Sequence, residues 1–235
     1  MKRLGPVLLL TALIFAACAG QKNRIIFRPD PAQNGEKTDP LESWLIIESQ
    51  NGPGEYGMPE WVSRYFEDET RGIESLDRYS GKYVFIGNNR GENIYALRQW
   101  ANGFTVLHDL PGLVAVRVER RLVASASLYP DDEYGQYFES LIKKVSDGEY
   151  PGAIKEETYW VKRMKIPGTG EDDFELPQTN TVTELYEYLV LISADTEALQ
   201  SQLRQIMTGI KTTVPPAKDQ AAAINKVQQT FFEGF

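Results

Sequence analysis

The chain of 235 residues contains one cysteine, Cys18, and one histidine, His108. With a single cysteine no disulfide can form within the chain, so a folded domain must depend on its hydrophobic core for stability. A zinc site built from nitrogen and sulfur ligands needs about four such side chains, and this chain cannot supply them. A serine-histidine-aspartate triad could use only His108, which stands beside Asp109. The sequence has no Gly-x-Ser-x-Gly motif that would mark a nucleophilic serine.

Basic residues are also scarce. There are 25 lysines and arginines against 33 aspartates and glutamates, which gives a net charge of −8 at pH 7. An excess of negative charge does not attract nucleic acid or anionic lipid, so we expect no nucleic-acid partner. Solubility alone explains this acidity. The apolar run at residues 4–15 is shorter than the roughly 20 residues that a helix needs to span a bilayer.

The first 18 residues have the layout of a secretory signal. Two basic residues, Lys2 and Arg3, precede the apolar residues 4–15, and the small residues 16–17 then precede Cys18. A charged start, a short apolar core and small residues before a cleavage point are the features of a signal peptide. Two other interpretations remain open: a membrane anchor helix, or a signal cleaved by ordinary signal peptidase with Cys18 incidental.

Residues 15–18 resemble the lipobox of bacterial lipoproteins, whose usual pattern is Leu-(Ala/Ser)-(Gly/Ala)-Cys. Phe15 stands where leucine is usual, a looser pattern that lipoproteins of the spirochaete type tolerate. The resemblance implies that Cys18 becomes the first residue of the mature protein and carries a lipid anchor. Two or three acyl chains hold a protein firmly at a membrane. We therefore expect a place in the bacterial cell envelope, and the sequence leaves open which membrane and which face.

The sequence divides into three segments. We expect a lipoprotein signal peptide over residues 1–17, a flexible lipidated tether over 18–43 and one folded domain over 44–235. The tether is punctuated by prolines and shows no period of 2 or 3.6 residues. Its apolar island, residues 25–27, either packs on the domain or binds a partner. The roughly 190 residues of the domain are enough for one well-buried core.

Strands are predicted where β-branched and aromatic residues cluster between turn signals. They are residues 44–47, where a docking segment remains the alternative, 82–87, 155–166 and 183–193, with a turn at 88–91 and a long exposed loop between the last two strands. These last two strands are expected to form an antiparallel hairpin. Trp160, in the middle of the third strand, is expected to be a core residue.

Helices are predicted where apolar residues recur at spacings of three and four. They begin at Pro59, at Ile94, near Leu110, after Asp131–Glu133, after Asp195 and near Lys218. Residues 116–119 also alternate in polarity, so a strand remains open there. Together these elements predict an α+β single domain in which an antiparallel sheet is covered on one face by helices.

The order of these motifs resembles the LPP-twenty-like bacterial envelope lipoproteins. The motifs are Pro59-Glu60-Trp61-Val62 at a helix start, a strand ending in Ile86-Gly87, Tyr159-Trp160-Val161, Tyr186-Glu187-Tyr188-Leu189-Val190 and the helix after Asp195. The resemblance covers residues 58 to about 208. It departs after the first of these strands, where the family has an alanine-rich helix and this chain has a short helix at 95–100. The resemblance implies an α+β domain on a lipid tether, and it implies no catalytic residues.

Four segments invite a chemical interpretation, and each has a plainer one. His108-Asp109 is more simply a structural pair. The segment 87–91 follows a strand as a phosphate loop does, but it lacks the spacing of such loops and is more simply a turn. The acidic clusters 131–133 and 171–173 offer oxygen ligands to calcium, yet they are better explained as a helix cap and a solvated loop tip. We expect no metal, no cofactor and no catalytic residue, which leaves Cys18 as the one modification site.

Three functions remain. The favoured one is a membrane-anchored envelope lipoprotein that acts without catalysis, as a structural or protein-interaction module with an envelope protein as its partner. The second is a carrier of lipid or another amphiphile, because four tryptophans and twelve tyrosines are enough to line a groove. The third is an enzyme that cleaves peptidoglycan with two carboxylates, since glycosidases need no other side chains.

Overall fold

The computed structural model describes residues 44–126, 135–165, 183–210 and 218–233. Several of the predicted segments lie outside these ranges: the signal peptide and tether with Cys18, both acidic clusters and the loop between the last two strands. The predictions for those segments therefore remain predictions from the sequence.

Five strands and six helices follow one another in the described ranges. The strands are β1 (Trp44–Ser49), β2 (Gly52–Pro53), β3 (Lys82–Gly91), β4 (Ile154–Lys165) and β5 (Glu184–Asp195). The helices are α1 (Glu60–Glu74), α2 (Ile94–Gly103), α3 (Val106–Ala126), α4 (Gly135–Ser146), α5 (Thr196–Thr208) and α6 (Lys218–Glu233). A 3₁₀ helix, Asp77–Tyr79, lies between α1 and β3.

All five strands belong to one antiparallel sheet, in the order β2-β1-β4-β5-β3. β5 lies between β4 and β3, and its residues from Glu187 to Ala194 are buried without interruption. Such an unbroken run means that neighbours cover β5 on both faces of the sheet. The predicted α+β class, the antiparallel sheet and the β4–β5 pairing are confirmed.

Side chains alternate between two separate cores. The first core lies on what we call the α1 face, where α1 contributes Trp61, Val62 and Ile73, and the sheet contributes Val84, Tyr159, Val161, Leu189 and Leu191. The second lies on what we call the α3 face, where residues of α2 to α6 pack with Tyr83, Phe85, Tyr188, Val190 and Ile192 of the sheet. The prediction placed helices on one face only. Five helices do share one face, but α1 covers part of the other.

The turn predicted at residues 88–91 is wrong. β3 continues through this segment to Gly91, paired with β5 from Asn88↔Leu189 to Gly91↔Tyr186. Asparagine and glycine are typical of turns, but here the side chain of Asn88 is held by a carboxylate of the neighbouring strand, and this stabilises the extended conformation. The alternative of a strand at 116–119 is also settled, because those residues lie inside α3.

Trp160 is only partly buried, whereas its neighbour Tyr159 is 2 % exposed. Tyr159 points to the α1 face, where its ring meets that of Trp61 edge-on at 6.5 Å. Trp160 points to the α3 face and meets Tyr186 edge-on at 5.7 Å. The core position expected of Trp160 therefore belongs more fully to Tyr159.

α1 is broken in its middle. The backbone angles of Asp68 and Glu69 are not helical, and Glu69 has a φ of 49°. The two halves approach so closely that a Cβ on Gly72 would lie 2.2 Å from the carbonyl oxygen of Arg64. Only glycine fits there, because a backbone atom cannot move aside as a side chain can. This bend directs the end of α1, with Glu74, towards β3.

A second glycine, Gly87, is also required by close packing. A Cβ on Gly87 would lie 2.5 Å from the ring of Phe104, which is 3 % exposed in the α3-face core. We expect Gly87→Ala to destabilise the protein by about 1–3 kcal/mol through overpacking. The measurement is the free energy of unfolding in urea.

Gly112→Ala is the matched control for this substitution. Gly112 lies inside α3, and a Cβ added there would meet nothing within 4 Å apart from its chain neighbours and the helix's own backbone. Alanine there should be neutral or stabilising by up to about 1 kcal/mol, because alanine favours the helix. If Gly87→Ala were as harmless as Gly112→Ala, the close contact with Phe104 would be refuted.

Candidate functional site

A β-bulge brings two adjacent carboxylates to the same face of the sheet. In the β4–β5 ladder Lys155 pairs with Ile192 and Glu157 pairs with Leu191, so Glu156 is an extra residue in β4. Alternation would place Glu156 and Glu157 on opposite faces, but a bulge interrupts alternation. Both side chains instead bond to groups of the α1 face.

Each of these carboxylates is held by its own donors. Glu157 accepts hydrogen bonds from the indole N–H of Trp61 at 2.8 Å and from Arg78 Nη2 at 2.7 Å. Glu156 Oε1 accepts from the Ser193 hydroxyl at 2.5 Å and from Lys82 Nζ at 3.2 Å. Arg78 Nη2 also lies 3.8 Å from Glu156 Oε2, so this guanidinium faces both carboxylates.

An open cleft of about 460 Å³ lies beside these groups. It is bounded by the start of α1, the 3₁₀ helix and the bulged part of β4. The residues that line it are Pro59, Glu60, Trp61, Ser75, Leu76, Asp77, Arg78, Tyr79 and Glu157. The cleft thus combines apolar walls with three carboxylates and one guanidinium, and it is the candidate site in the part of the chain that the structure describes.

The protonation of Glu156 bears directly on catalysis. Burial alone would raise the pKa of this carboxyl, but the hydrogen bonds from Ser193 and Lys82, with the charges of Lys82 and Arg78, outweigh burial and hold the pKa below its usual value. Glu156 is therefore ionised at neutral pH. A general acid needs a proton to give, so Glu156 does not suit that role.

The aromatic residues of the cleft belong to its walls. Trp61 is 2 % exposed and Tyr79 is 1 % exposed, so neither ring offers a free surface on which a ligand could stack. Burial raises the pKa of Tyr79 to about 12, against the opposing charge of Arg78, which leaves the phenol protonated at neutral pH. Within the described residues its hydroxyl has no hydrogen-bond partner.

A second polar cluster lies on the same face towards the other end of the sheet. At its centre Glu187 of β5 is 1 % exposed. Its Oε1 accepts hydrogen bonds from Asn88 at 2.7 Å and from Arg90 of β3 at 2.9 and 3.0 Å. Arg163 Nε of β4 lies 2.7 Å from Oε2, in an ion pair whose N–H direction does not meet hydrogen-bond geometry. One buried carboxylate thus joins three adjacent strands.

Residues of α1 close this cluster from above. The guanidinium of Arg163 stacks over the ring of Phe66 at 4.4 Å. Burial and the nearby charge of Glu187 raise the pKa of Tyr65 to about 12, although the amide of Asn88 favours the ionised phenol. The cluster therefore fastens α1 to the sheet, and its charges are directed at one another.

The two motifs singled out from the sequence have structural roles. His108 is exposed and Asp109 accepts a hydrogen bond from the Thr105 amide at 2.6 Å, while the Thr105 hydroxyl accepts from the His108 amide at 3.3 Å. These reciprocal bonds cap the N-terminus of α3. The segment 87–91 is a strand and therefore offers no phosphate loop.

Sequence reasoning missed Glu156, Glu157 and Glu187. A bulge has no reliable sequence signal, so nothing marked Glu156 and Glu157 as neighbours on one face. The sequence did carry a signal for Glu187, because this charged residue directly precedes the apolar run 188–192. A charged side chain in a buried strand needs a partner of opposite charge. Its pairing with Arg90 and Arg163 depends on strand order, which the sequence left open.

Comparison with protein-family models, curated proteins and solved structures finds no match to this chain. The resemblance to LPP-twenty-like lipoproteins therefore remains a prediction from the sequence. Within the described ranges no helix is both long and apolar enough to cross a membrane. The same ranges contain no group of three or more histidine, cysteine or acidic side chains arranged to hold a metal ion.

Loss of the central carboxylate should destabilise the fold strongly. We expect Glu187→Gln to lower the free energy of unfolding by about 3–5 kcal/mol, because it leaves Arg90 and Arg163 close together without their counter-charge. Urea unfolding followed by circular dichroism measures the change.

Glu67→Gln provides the comparison for this variant. Glu67 pairs with Arg64 at 2.9 Å on the surface of α1, with both side chains about half exposed. Such pairs contribute about 0–1 kcal/mol. Equal effects of the two substitutions would contradict the structural role assigned to Glu187.

Proposed function

We propose that the protein is a lipid-anchored lipoprotein of the bacterial envelope and acts as a structural or protein-interaction module without catalysis. The anchor would be the acylated Cys18, at the end of a tether that precedes β1. The folded domain would stand away from the membrane surface and present the cleft to an envelope protein.

One observation carries the non-catalytic part of this proposal: the two carboxylates beside the cleft are engaged by neighbouring side chains. Trp61 and Arg78 hold Glu157, and Ser193 and Lys82 hold Glu156. Glycosidases need one carboxyl that keeps its proton near neutral pH, which requires a raised pKa. The pKa of Glu156 is lowered instead. This arrangement suits a rigid wall for recognition better than a site of proton transfer.

The carrier of an amphiphile is the second candidate, and the aromatic residues give it little support. Three of the aromatic side chains on the α1 face, Trp61, Tyr79 and Tyr159, are at most 2 % exposed and pack in the core. The cleft beside them is lined by charged as well as apolar residues. A carrier of acyl chains needs a predominantly apolar cavity.

The anchor is tested by Cys18→Ser in the native host. The variant should leave the membrane fraction and lose labelling by radioactive palmitate, because serine cannot form the thioether to diacylglycerol. Ala19→Ser, which changes a neighbouring small residue and retains the thiol, should behave like wild type. Unchanged membrane partitioning and unchanged mass of the Cys18→Ser variant would refute lipidation.

The absence of catalysis is tested by incubation with purified peptidoglycan. We expect no release of reducing ends or muropeptides, because Glu156 is held ionised. Turnover that disappears in Glu156→Gln or Glu157→Gln, with the circular dichroism spectrum unchanged, would overturn the non-enzymatic proposal.

Native mass spectrometry of the same preparation tests whether the protein is a carrier of an amphiphile. A carrier would retain lipid at a fixed stoichiometry.

A further inference from the structure

β3 is an edge strand of the described sheet, with β5 on its inner side. An edge strand presents a row of backbone N–H and C=O groups that can pair with another strand. At Val84 both of these groups are occupied by side chains. The Val84 N–H donates to Glu74 Oε1 at 2.8 Å, and the Val84 carbonyl accepts from Arg117 Nη1 at 3.3 Å.

The two side chains come from opposite faces of the sheet. Glu74 ends α1 on the α1 face, and Arg117 belongs to α3 on the other. The Arg117 guanidinium lies 4.5 Å from the ring centre of Tyr83 and 5.6 Å from that of Phe85, so it crosses the α3 face before it reaches the edge. There it meets Glu74 at 2.6 Å in an ion pair that is largely buried. The pair therefore closes over the edge of the sheet at Val84.

The pattern of these bonds imitates a neighbouring strand. At a hydrogen-bonded pair of an antiparallel ladder, each residue donates its N–H to the carbonyl of the residue opposite and accepts that residue's N–H at its own carbonyl. The carboxylate of Glu74 takes the place of the partner's carbonyl, and the guanidinium of Arg117 takes the place of its N–H. Both outward groups of Val84 are thereby satisfied without a second chain.

We propose that the Glu74–Arg117 pair is a plug on a strand-pairing edge, and that the strand it excludes is β3 of a second copy of this chain. An antiparallel pair with Val84 opposite its symmetry mate joins residues 82–86 of the two copies. It puts Tyr83 opposite Phe85 and Lys82 opposite Ile86, with no like charges in register. Aromatic cross-strand pairs stabilise such ladders, and a two-fold pair closes on itself.

The test removes both halves of the plug from the full-length protein. In Glu74→Ala/Arg117→Ala neither side chain is left as an unpaired charge, so the fold loses less than it would in either single variant. Sedimentation velocity over a range of concentrations should show roughly a doubling of the protein mass relative to wild type. Hydrogen exchange should show the Val84 amide still protected, because the second β3 replaces Glu74 as its acceptor.

The control is a second ion pair along the same two helices. Glu69 and Arg120 lie 3.9 Å apart and are 75 % and 49 % exposed, and this pair is expected to contribute little. Glu69→Ala/Arg120→Ala should keep the wild-type mass and the wild-type protection at Val84.

Two results would overturn the proposal. One is a folded double variant that keeps the wild-type mass at every concentration, since the edge would then lack its plug and still not pair with a second copy. The other is a wild-type protein that already self-associates with β3 paired to β3. If the double variant does not fold, Glu74→Ala/Arg117→Met keeps a long apolar side chain over Tyr83 and Phe85 and still removes both side-chain bonds to Val84. The same two readouts then decide between mass doubling and an open monomer.

Discussion

The structure depends on the burial of β5 on both faces. Eight consecutive residues of this strand, Glu187 to Ala194, are buried, and seven of them carry no charge. Such a strand requires a neighbour on each side and a cover above and below. β4 and β3 supply the neighbours, α2 to α6 cover the α3 face, and α1 covers the α1 face. α1 is broken at Asp68 and Glu69, and its last residue, Glu74, bonds to the edge strand β3 at Val84.

Polar contacts join these layers where apolar packing ends. Glu187 links three strands at one end of the sheet. Near the other end, Glu157 fastens the start of α1 and the 3₁₀ helix to β4, and Glu156 links β4 to Ser193 of β5 and Lys82 of β3. Lys155 donates to the carbonyls of Ala101 and Phe104 at the C-terminus of α2, where a positive charge is favoured. Each of these buried or half-buried charges has its partner in the fold. Their concentration therefore reflects assembly of the layers.

Local patterns were sufficient to predict most elements, because amphipathic spacing, the Asp195 cap and the β-branched runs act within a few residues. The Asp195 cap, for example, bonds the Ala198 amide as its position indicated. The second covered face was missed, although the continuous apolar run at 188–192 is typical of a strand buried on both sides. The strand at 88–91 was missed because it depends on pairing with β5 and on the bond from Asn88 to Glu187, 99 residues away. The bulge at Glu156 and the Gly87–Phe104 contact likewise depend on tertiary partners.

The central claim is that Glu156, beside the cleft, is a structural and ionised carboxylate. A carbon-13 NMR titration of the Glu156 side-chain carboxyl tests it most directly, with Glu156→Gln used to assign the signal. We predict a single midpoint below the ordinary glutamate value of 4.5, because Ser193, Lys82 and Arg78 favour the charged form. A midpoint near neutral pH would contradict this account, because the carboxyl would then hold the proton that a general acid requires.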